Sequence, residues 1–498
     1  MPRSVVWLKR DLRTFDHAPL MRAAEIGEVV ALYVYEPIVI HAPEHDSSHL
    51  VFVNECLAEV RERLRALGSD VIIRSGDMID VLDRLHAEIN FDQLWSHEET
   101  GLLSTYARDR AVRAWCRNHA IKWTEIPQHG VFRPVRTRDG WAGRWHDRMS
   151  EAIIPEPNQI RGITVSIQPG EIRTPESLGL PGSTRELAQG GGSSAALSLL
   201  ESFLYARGEH YQREMSGPVE SWESCSRISP HLAYGSISLK TCVHAARARL
   251  SELSPSDHDW RRSIGSFEKR LAWHCHFIQK LEDEPRIELH NVNRAFDGLR
   301  TEDPSHWTDE EHDRFEKYCN GRTGYPIIDA GIRSLHATGW ITFRMRAMLM
   351  SFAAYHLWLH WKPVATFLAR HFLDFEPGIH FPQCQMQSGV TGINTIRIYS
   401  PIKQTNDNDA DGTFIRRWVP EIASLPNEHL AEPWHTPPLT QHMADCIIGE
   451  AYPHPIVDHS TAYKEAQRRI FAARDTAIAK RTSAEVFQKH GSRKSTGR

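Results

Sequence analysis

The stretch that decides the fold spans residues 28–76: EVVALYVYE (28–36), HLVFVNECLAEVRERLRALG (49–68) and DVIIRSG (70–76). The outer pieces are short runs of β-branched, aromatic and aliphatic residues, and the middle piece repeats apolar residues at helical spacing. Strand, helix, strand in that order predicts a parallel sheet with helices on both faces. The alternation continues outward, with SVVWLKR (4–10), FDQLWSHE (91–98) and IKWTEIP (121–127) as strands and TYARDRAVRAWCRNHA (105–120) as a helix. The expectation is an α/β domain, a doubly wound parallel sheet, over residues 1–135. Ligands of such sheets lie beyond the carboxyl ends of the strands. RSGD (74–77) and SHEETG (96–101) are such ends, and neither holds the G-x-G-x-x-G of a dinucleotide fold.

Beyond residue 135 the pattern changes. SIQPGEIRTPESLGLPGSTRELAQGGGSSAA (166–196) is rich in Pro, Gly and Ser, which marks residues 136–195 as a connector. It reads equally as a flexible linker or an ordered wrap. ALSLLESFLYARGEHYQREM (196–215), GSFEKRLAWHCHFIQKLED (265–283), ITFRMRAMLMSFAAYHLWLHW (341–361) and PVATFLARHFLDF (363–375) are helical, so residues 196–475 form a larger all-α domain. Residues 476–498 are basic and weakly patterned and read as a frayed, disordered tail.

With 498 residues, 41% hydrophobic and 24% charged, the chain is long enough for two substantial cores. A net charge of −4 leaves any nucleic-acid surface to a local patch. Eight cysteines without a C-x-x-C point to reduced thiols in the cytoplasm rather than to disulfides or zinc. No stretch reads as a signal peptide or a membrane span.

Three places carry chemistry. In SCSRISPHLAYGSIS (224–238), hydroxyls and backbone amides surround Arg227, which suits a phosphate or an ordinary helix N-cap. Arg344 and Arg346, at the end of GRTGYPIIDAGIRSLHATGWITFRMR (321–346), need acidic partners if buried, and Asp374 and Glu376 are the nearest in sequence. In HFPQCQ (380–385), His380 and Cys384 allow a metal pair, a nucleophile with its base, or neither. Pro382 between them argues against a regular helix.

WLKRDLRTFDHAPL (7–20), SCSRISPHLAYGSIS, TGYPIIDAGIRSLHATGW (323–340), RIYSPIKQ (397–404) and FIRRWVPEI (414–422) together resemble the photolyase/cryptochrome family over nearly the whole chain. The resemblance implies FAD in the helical domain and an antenna, a folate or a deazaflavin, in the α/β domain. It implies that Tyr211 and the segment Cys225, Ser226, Arg227, Ile228 and Ser229 contact the flavin phosphates. Arg346 and Asp374 would pair beside the flavin ring, with Glu376 replacing a second aspartate. His380 falls where an asparagine usually faces flavin N5, and Cys384 where the flavin-proximal tryptophan of an electron-transfer chain stands. Trp361 matches the middle tryptophan; Trp340, Trp358 and Tyr399 are alternative relays.

On the lesion side Trp273 matches a stacking tryptophan and Arg270 replaces a glutamate that accepts from the damaged bases. His274 replaces an arginine, Phe343 an asparagine, and Phe267 lies among the cofactor contacts. The implied activity is light-driven repair of a pyrimidine dimer or (6-4) product in UV-damaged DNA by a monomer. A cryptochrome photoreceptor is the alternative, favoured by the changes at Cys384 and Arg270.

Overall fold

Five parallel strands pair in the order β3-β2-β1-β4-β5, where β1 is Arg3–Trp7, β2 Glu28–Tyr35, β3 Val71–Ser75, β4 Gln93–His97 and β5 Lys122–Ile126. The computed structural model describes residues 1–491 other than 134, 136, 137, 164–166, 184 and 186. In register, Val5 lies beside Val30 on one side and Leu94 on the other. Successive residues face opposite ways, so the continuous apolar runs fill two cores. Val6, Val29 and Ala31 pack with Phe52, Leu57 and Val60 of helix α2 (Ser47–Ala66), which follows α1 (Ala18–Ile26). Val5, Val30 and Leu32 pack with Leu82 and Leu85 of α3 (Met78–Ile89) and with Val112 and Trp115 of α4 (Leu103–Asn118). Asp46 starts α2 with a capping box, its carboxylate accepting from the Ser48 amide while His49 reaches back to the Asp46 amide.

The strand order reverses between β1 and β4, and a buried polar network fills the crevice at their carboxyl ends. Arg108 donates to Glu36 at 2.7 Å, Glu99 at 2.5 Å and Asp109 at 2.9 Å, and Lys9 reaches Asp109 at 3.1 Å. Asp11 Oδ2 accepts from His17 Nε2 at 3.0 Å and His97 Nδ1 at 2.6 Å. These three groups are close enough to share a cation. The geometry is that of hydrogen bonding instead: His17 Nδ1 accepts the Leu20 amide, which leaves its Nε2 protonated and donating. A cavity of about 20 Å³ remains beside Arg10, His129, His274 and Glu376, room for about one water.

The segment read as a connector is ordered where it is described. Residues Trp141–Ser150 form a helix whose Trp141, Trp145 and Met149 join the core around Leu200, Phe203 and Phe267. Its polar composition hides three anchors at i, i+4 and i+8. Further on, the chain runs along the sheet, the Val29 amide donating to Arg161 O at 2.8 Å and the Ile73 amide to Pro169 O at 2.6 Å.

The remainder is helical, and the elements that matter to the site are α5 (His258–Asp283), α6 (Pro326–Thr338), α7 (Phe343–Ser351), α8 (Trp361–His371) and α9 (Pro377–Gln387). Two more follow, α10 (His459–Arg474) and α11 (Ala477–His490). The last corrects the expectation of a disordered tail. Thr476 caps α11, Ala479 and Val486 are buried, Ser483 accepts from Asn293 Nδ2 at 3.0 Å, and buried His490 contacts Glu284 at 2.7 Å. Its anchors are too sparse among basic residues to mark an apolar stripe. Residues 492–498 lie outside the described residues. Among the described residues no helix is long and apolar enough to cross a membrane.

Candidate functional site

The loop at residues 223–229 is held from below by Arg207, which the sequence did not single out. A widened π turn at Phe203–Arg207 delivers it under the 223–229 loop. Its guanidinium donates to the carbonyls of Glu223 (2.7 Å), Ser226 (2.9 Å) and Cys225. Gln189 Nε2 holds the Arg227 carbonyl at 2.9 Å. In a trans peptide the N–H points opposite the carbonyl. The clamps therefore turn the amides of Ser226, Arg227 and Ile228 away from Arg207 and Gln189. Arg227 itself adopts φ 56°, the left-handed conformation that makes successive amides converge.

Its guanidinium stacks 3.6 Å from the Trp222 ring centre, and burial together with Arg207 pushes its pKa down to about 10. Among the described residues the carboxylate whose charge reaches both arginines is that of Glu223, which forms no ion pair with either, and Ser221 Oγ, Ser224 Oγ and Arg227 Nε are buried without a hydrogen bond. A cationic, donor-rich loop with orphaned polar atoms fits a diphosphate. Tyr211, buried on Phe203 with its phenol pKa raised by burial, stands beside it next to Arg270. Phe267 packs 4.8 Å from Phe203 behind it.

At the other end, Arg346 from α7 and Asp374 form a two-pronged ion pair, both contacts 2.9 Å. Arg346 Nε also donates to Ile341 O at 3.0 Å, and its guanidinium lies 4.0 Å from the Phe372 ring centre. Glu376 is elsewhere engaged: it caps α9 and pairs with Arg10 of the α/β domain at 3.1 Å. Arg344 does not share the Asp374 pairing.

Helix α9 continues through Pro382, contrary to the sequence expectation. Proline in a helix interior costs about 3 kcal/mol. Tight seating of α9 on α5 overrides it: a Cβ on Gly378 would come 2.6 Å from Ile278 Cα. His380 and Cys384 therefore share a face, with Cys384 Sγ 3.6 Å from His380 Nε2. That nitrogen donates to Ala365 O at 2.8 Å, so it is protonated and cannot ligate a metal. Burial among Phe372, Phe375 and Phe381 lowers the His380 pKa to about 4 and raises that of Cys384, so both are neutral near pH 7. The charge of Arg346 reaches both, which sets this face of α9 toward the ion pair.

Trp361 is fully buried, donates to Asn291 Oδ1 at 2.8 Å and meets Phe381 edge-on at 6.2 Å. Trp340 pairs with Trp222 beside Arg227, Trp358 lies between Arg300 and Arg469, and Tyr399 lines a separate groove.

At the surface, Trp273 is 52% and Phe343 46% exposed. Arg270 bridges them, 5.2 Å and 5.8 Å from the two ring centres. His274 faces away from this opening, into the small cavity by Arg10 and Glu376, with its pKa lowered by burial to about 4. On α5, Arg270, Trp273 and Phe277 stand at i, i+3 and i+7, while Phe267, Leu271 and His274 form another face. Beside the opening a groove of about 780 Å³ is lined by Arg344, Arg397, Tyr399, Lys403, Tyr463 and Lys464.

Residues 4–143 match the family model described as DNA photolyase, and residues 267–472 the model described as the FAD binding domain of DNA photolyase. The chain belongs to the photolyase/cryptochrome family. It is 28% identical to a deoxyribodipyrimidine photo-lyase of Halobacterium salinarum, over 92% of this chain and 97% of that one. It is 28% identical to a cryptochrome DASH of Gloeobacter violaceus, over 93% and 95%. A bacterial class III photolyase structure from Agrobacterium tumefaciens superposes with a TM-score of 0.84 at 25% identity, covering 96% of this chain and 98% of that one. The cofactor of this photolyase/cryptochrome fold is FAD, and the loop at residues 223–229 and the Arg346–Asp374 pair have the chemistry to hold its two ends.

Proposed function

We infer that the protein is a light-driven DNA repair enzyme acting on UV-induced pyrimidine lesions. The observation that carries this reading is the exposed Trp273–Arg270–Phe343 opening next to a groove bearing Arg344, Arg397, Lys403 and Lys464. Exposed aromatics cost solvation unless something stacks on them, and base–aromatic stacking contributes about 1–3 kcal/mol. Four cations in one groove suit the phosphates flanking a flipped nucleotide. FAD supplies light-driven transfer of one electron to the lesion and its return.

The chain's own residues do the rest. The loop at residues 223–229 and Tyr211 anchor the cofactor phosphates, and Arg346, fixed by Asp374, places a positive charge where negative charge collects. His380, neutral and donating to Ala365 O, sits among Phe372, Phe375 and Phe381, an aromatic wall that would border the ring. Arg270 offers donors only, so it pairs with carbonyl oxygens of a lesion and not with its N–H groups.

A photoreceptor role is the second reading, favoured by Cys384 and His380, which meet on one face of α9 within reach of the Arg346 charge. The two separate when reduced, FAD-loaded protein is illuminated with oligonucleotides bearing a cyclobutane dimer or a (6-4) product. Restored thymines in either supports repair; no restoration of either, under light that visibly bleaches the flavin, removes it.

A further inference from the structure

Helix α9 carries two glutamines with opposite fates. Gln385 is fully used: Nε2 donates to Ile287 O and His290 O, both at 2.8 Å, and Oε1 accepts the Val292 amide at 2.6 Å. Gln383, two residues earlier and hence about 200° around the helix, has neither. Its Nε2 and Oε1 are both shut off from solvent and both without a partner among the described residues. A buried amide with donor and acceptor unpaired is destabilising, and calls for a ligand, an ion or an ordered water to pair it. Gln383 stands at i+3 from His380 and next to Cys384, the two residues of α9 that feel the charge of Arg346.

We propose that the Gln383 carboxamide is a ligand-reading group that pairs with an imide edge, a ring N–H beside a ring carbonyl. A carboxamide presents one donor and one acceptor side by side, and such an edge matches it two bonds at a time, as glutamine matches adenine in a DNA groove. Two ligands of the proposed repair enzyme carry that edge: the pyrimidine ring of the flavin and a thymine or uracil base of the substrate. The inference rests on the repair reading for the second and on the FAD site alone for the first.

Gln383→Met keeps length and removes both polar atoms. FAD affinity is measured by titrating apoprotein, with the position of the visible absorption bands of the bound flavin as a second readout. Affinity of FAD-loaded protein for dimer-containing and undamaged oligonucleotides is measured in the dark. Loss of two neutral hydrogen bonds predicts about a 10–100-fold drop in one of these affinities. A weaker FAD complex with shifted bands identifies the flavin edge. An unchanged FAD complex with weaker dimer binding identifies the base edge. Unchanged values for both overturn the proposal. Should Gln383→Met fold poorly, Gln383→Asn, which keeps both groups but shortens their reach, is held to the same outcomes. Protein that senses Gln383 through FAD but repairs no lesion sinks the repair reading and leaves this inference standing.

Discussion

Asp374→Ala tests the ring end of the site. Asp374 has only 5% of its side chain exposed and accepts two charge-assisted hydrogen bonds from Arg346, itself 25% exposed. Removing one partner of a buried pair costs about 3–5 kcal/mol because the other charge stays desolvated. The partial exposure of Arg346 puts this pair at the low end, about 3 kcal/mol. At about 2–4 °C per kcal/mol for domains of some 150–250 residues, apoprotein Tm should fall by about 6–12 °C. A cycle with Arg346→Met isolates the pair: the double variant should recover about 2 kcal/mol relative to the sum of the singles. Urea unfolding of the four apoproteins gives the numbers. Strict additivity, or a single-variant loss under about 1 kcal/mol, would refute the claim that the two residues act as one buried unit.

Other outcomes follow from the same geometry. Arg207→Gln frees the carbonyls of Glu223, Cys225 and Ser226, so FAD affinity should fall at least about tenfold; unchanged affinity in an equilibrium titration removes the clamp. Trp361→Phe should slow light-driven reduction of bound FAD at least about tenfold, followed by the loss of its visible absorption, and an equal rate would place the electron route elsewhere. Lys403→Ala with Lys464→Ala should lower the log–log salt slope of oligonucleotide binding by about 1–2, near 0.9 per phosphate contact; the same slope means the groove holds no DNA.

Acid stability has a definite sign. Burial pushes His97 and His356 down to about 3 and His231, His360 and His380 to about 4. Between the unfolded value near 6.5 and those values the unfolded chain binds protons that the folded one refuses. Stability present above pH 6.5 is therefore lost as pH falls toward 4, up to about 3 kcal/mol per imidazole. Glu36, raised by burial to about 7, and Asp329 and Asp409, raised to about 6, act oppositely over roughly the same window but are fewer. Urea midpoints at pH 7.5, 6 and 5 should descend; a midpoint at pH 5 equal to that at 7.5 contradicts the burial assignments.

Much of the architecture was legible because it rests on period. The unbroken apolar runs of β1 and β2 can be satisfied only by a sheet buried on both faces, and the helices of the larger domain carry dense apolar stripes. Elements with sparse anchors escaped, the Trp141–Ser150 helix and α11 among them, since their few buried side chains are separated by polar ones. Pro382 misled because local propensity is outweighed by packing on Ile278. In the site, Arg346 with Asp374 and Trp273 with Arg270 could be found from motif position. Arg207 and Gln189 act on backbone carbonyls distant in sequence, and Gln383 is conspicuous only for lacking a partner, so no spacing rule marks any of them.

The most direct test of the central claim, that one FAD spans from the Arg207-held loop to the Arg346–Asp374 pair, is equilibrium titration of apoprotein with FAD and with FMN. Strong binding of FAD, weakened by Arg207→Gln and by Asp374→Ala alike, with FMN bound far less well, is the expected result. An apoprotein that takes up neither flavin, or binds both equally and is indifferent to the two substitutions, would contradict it.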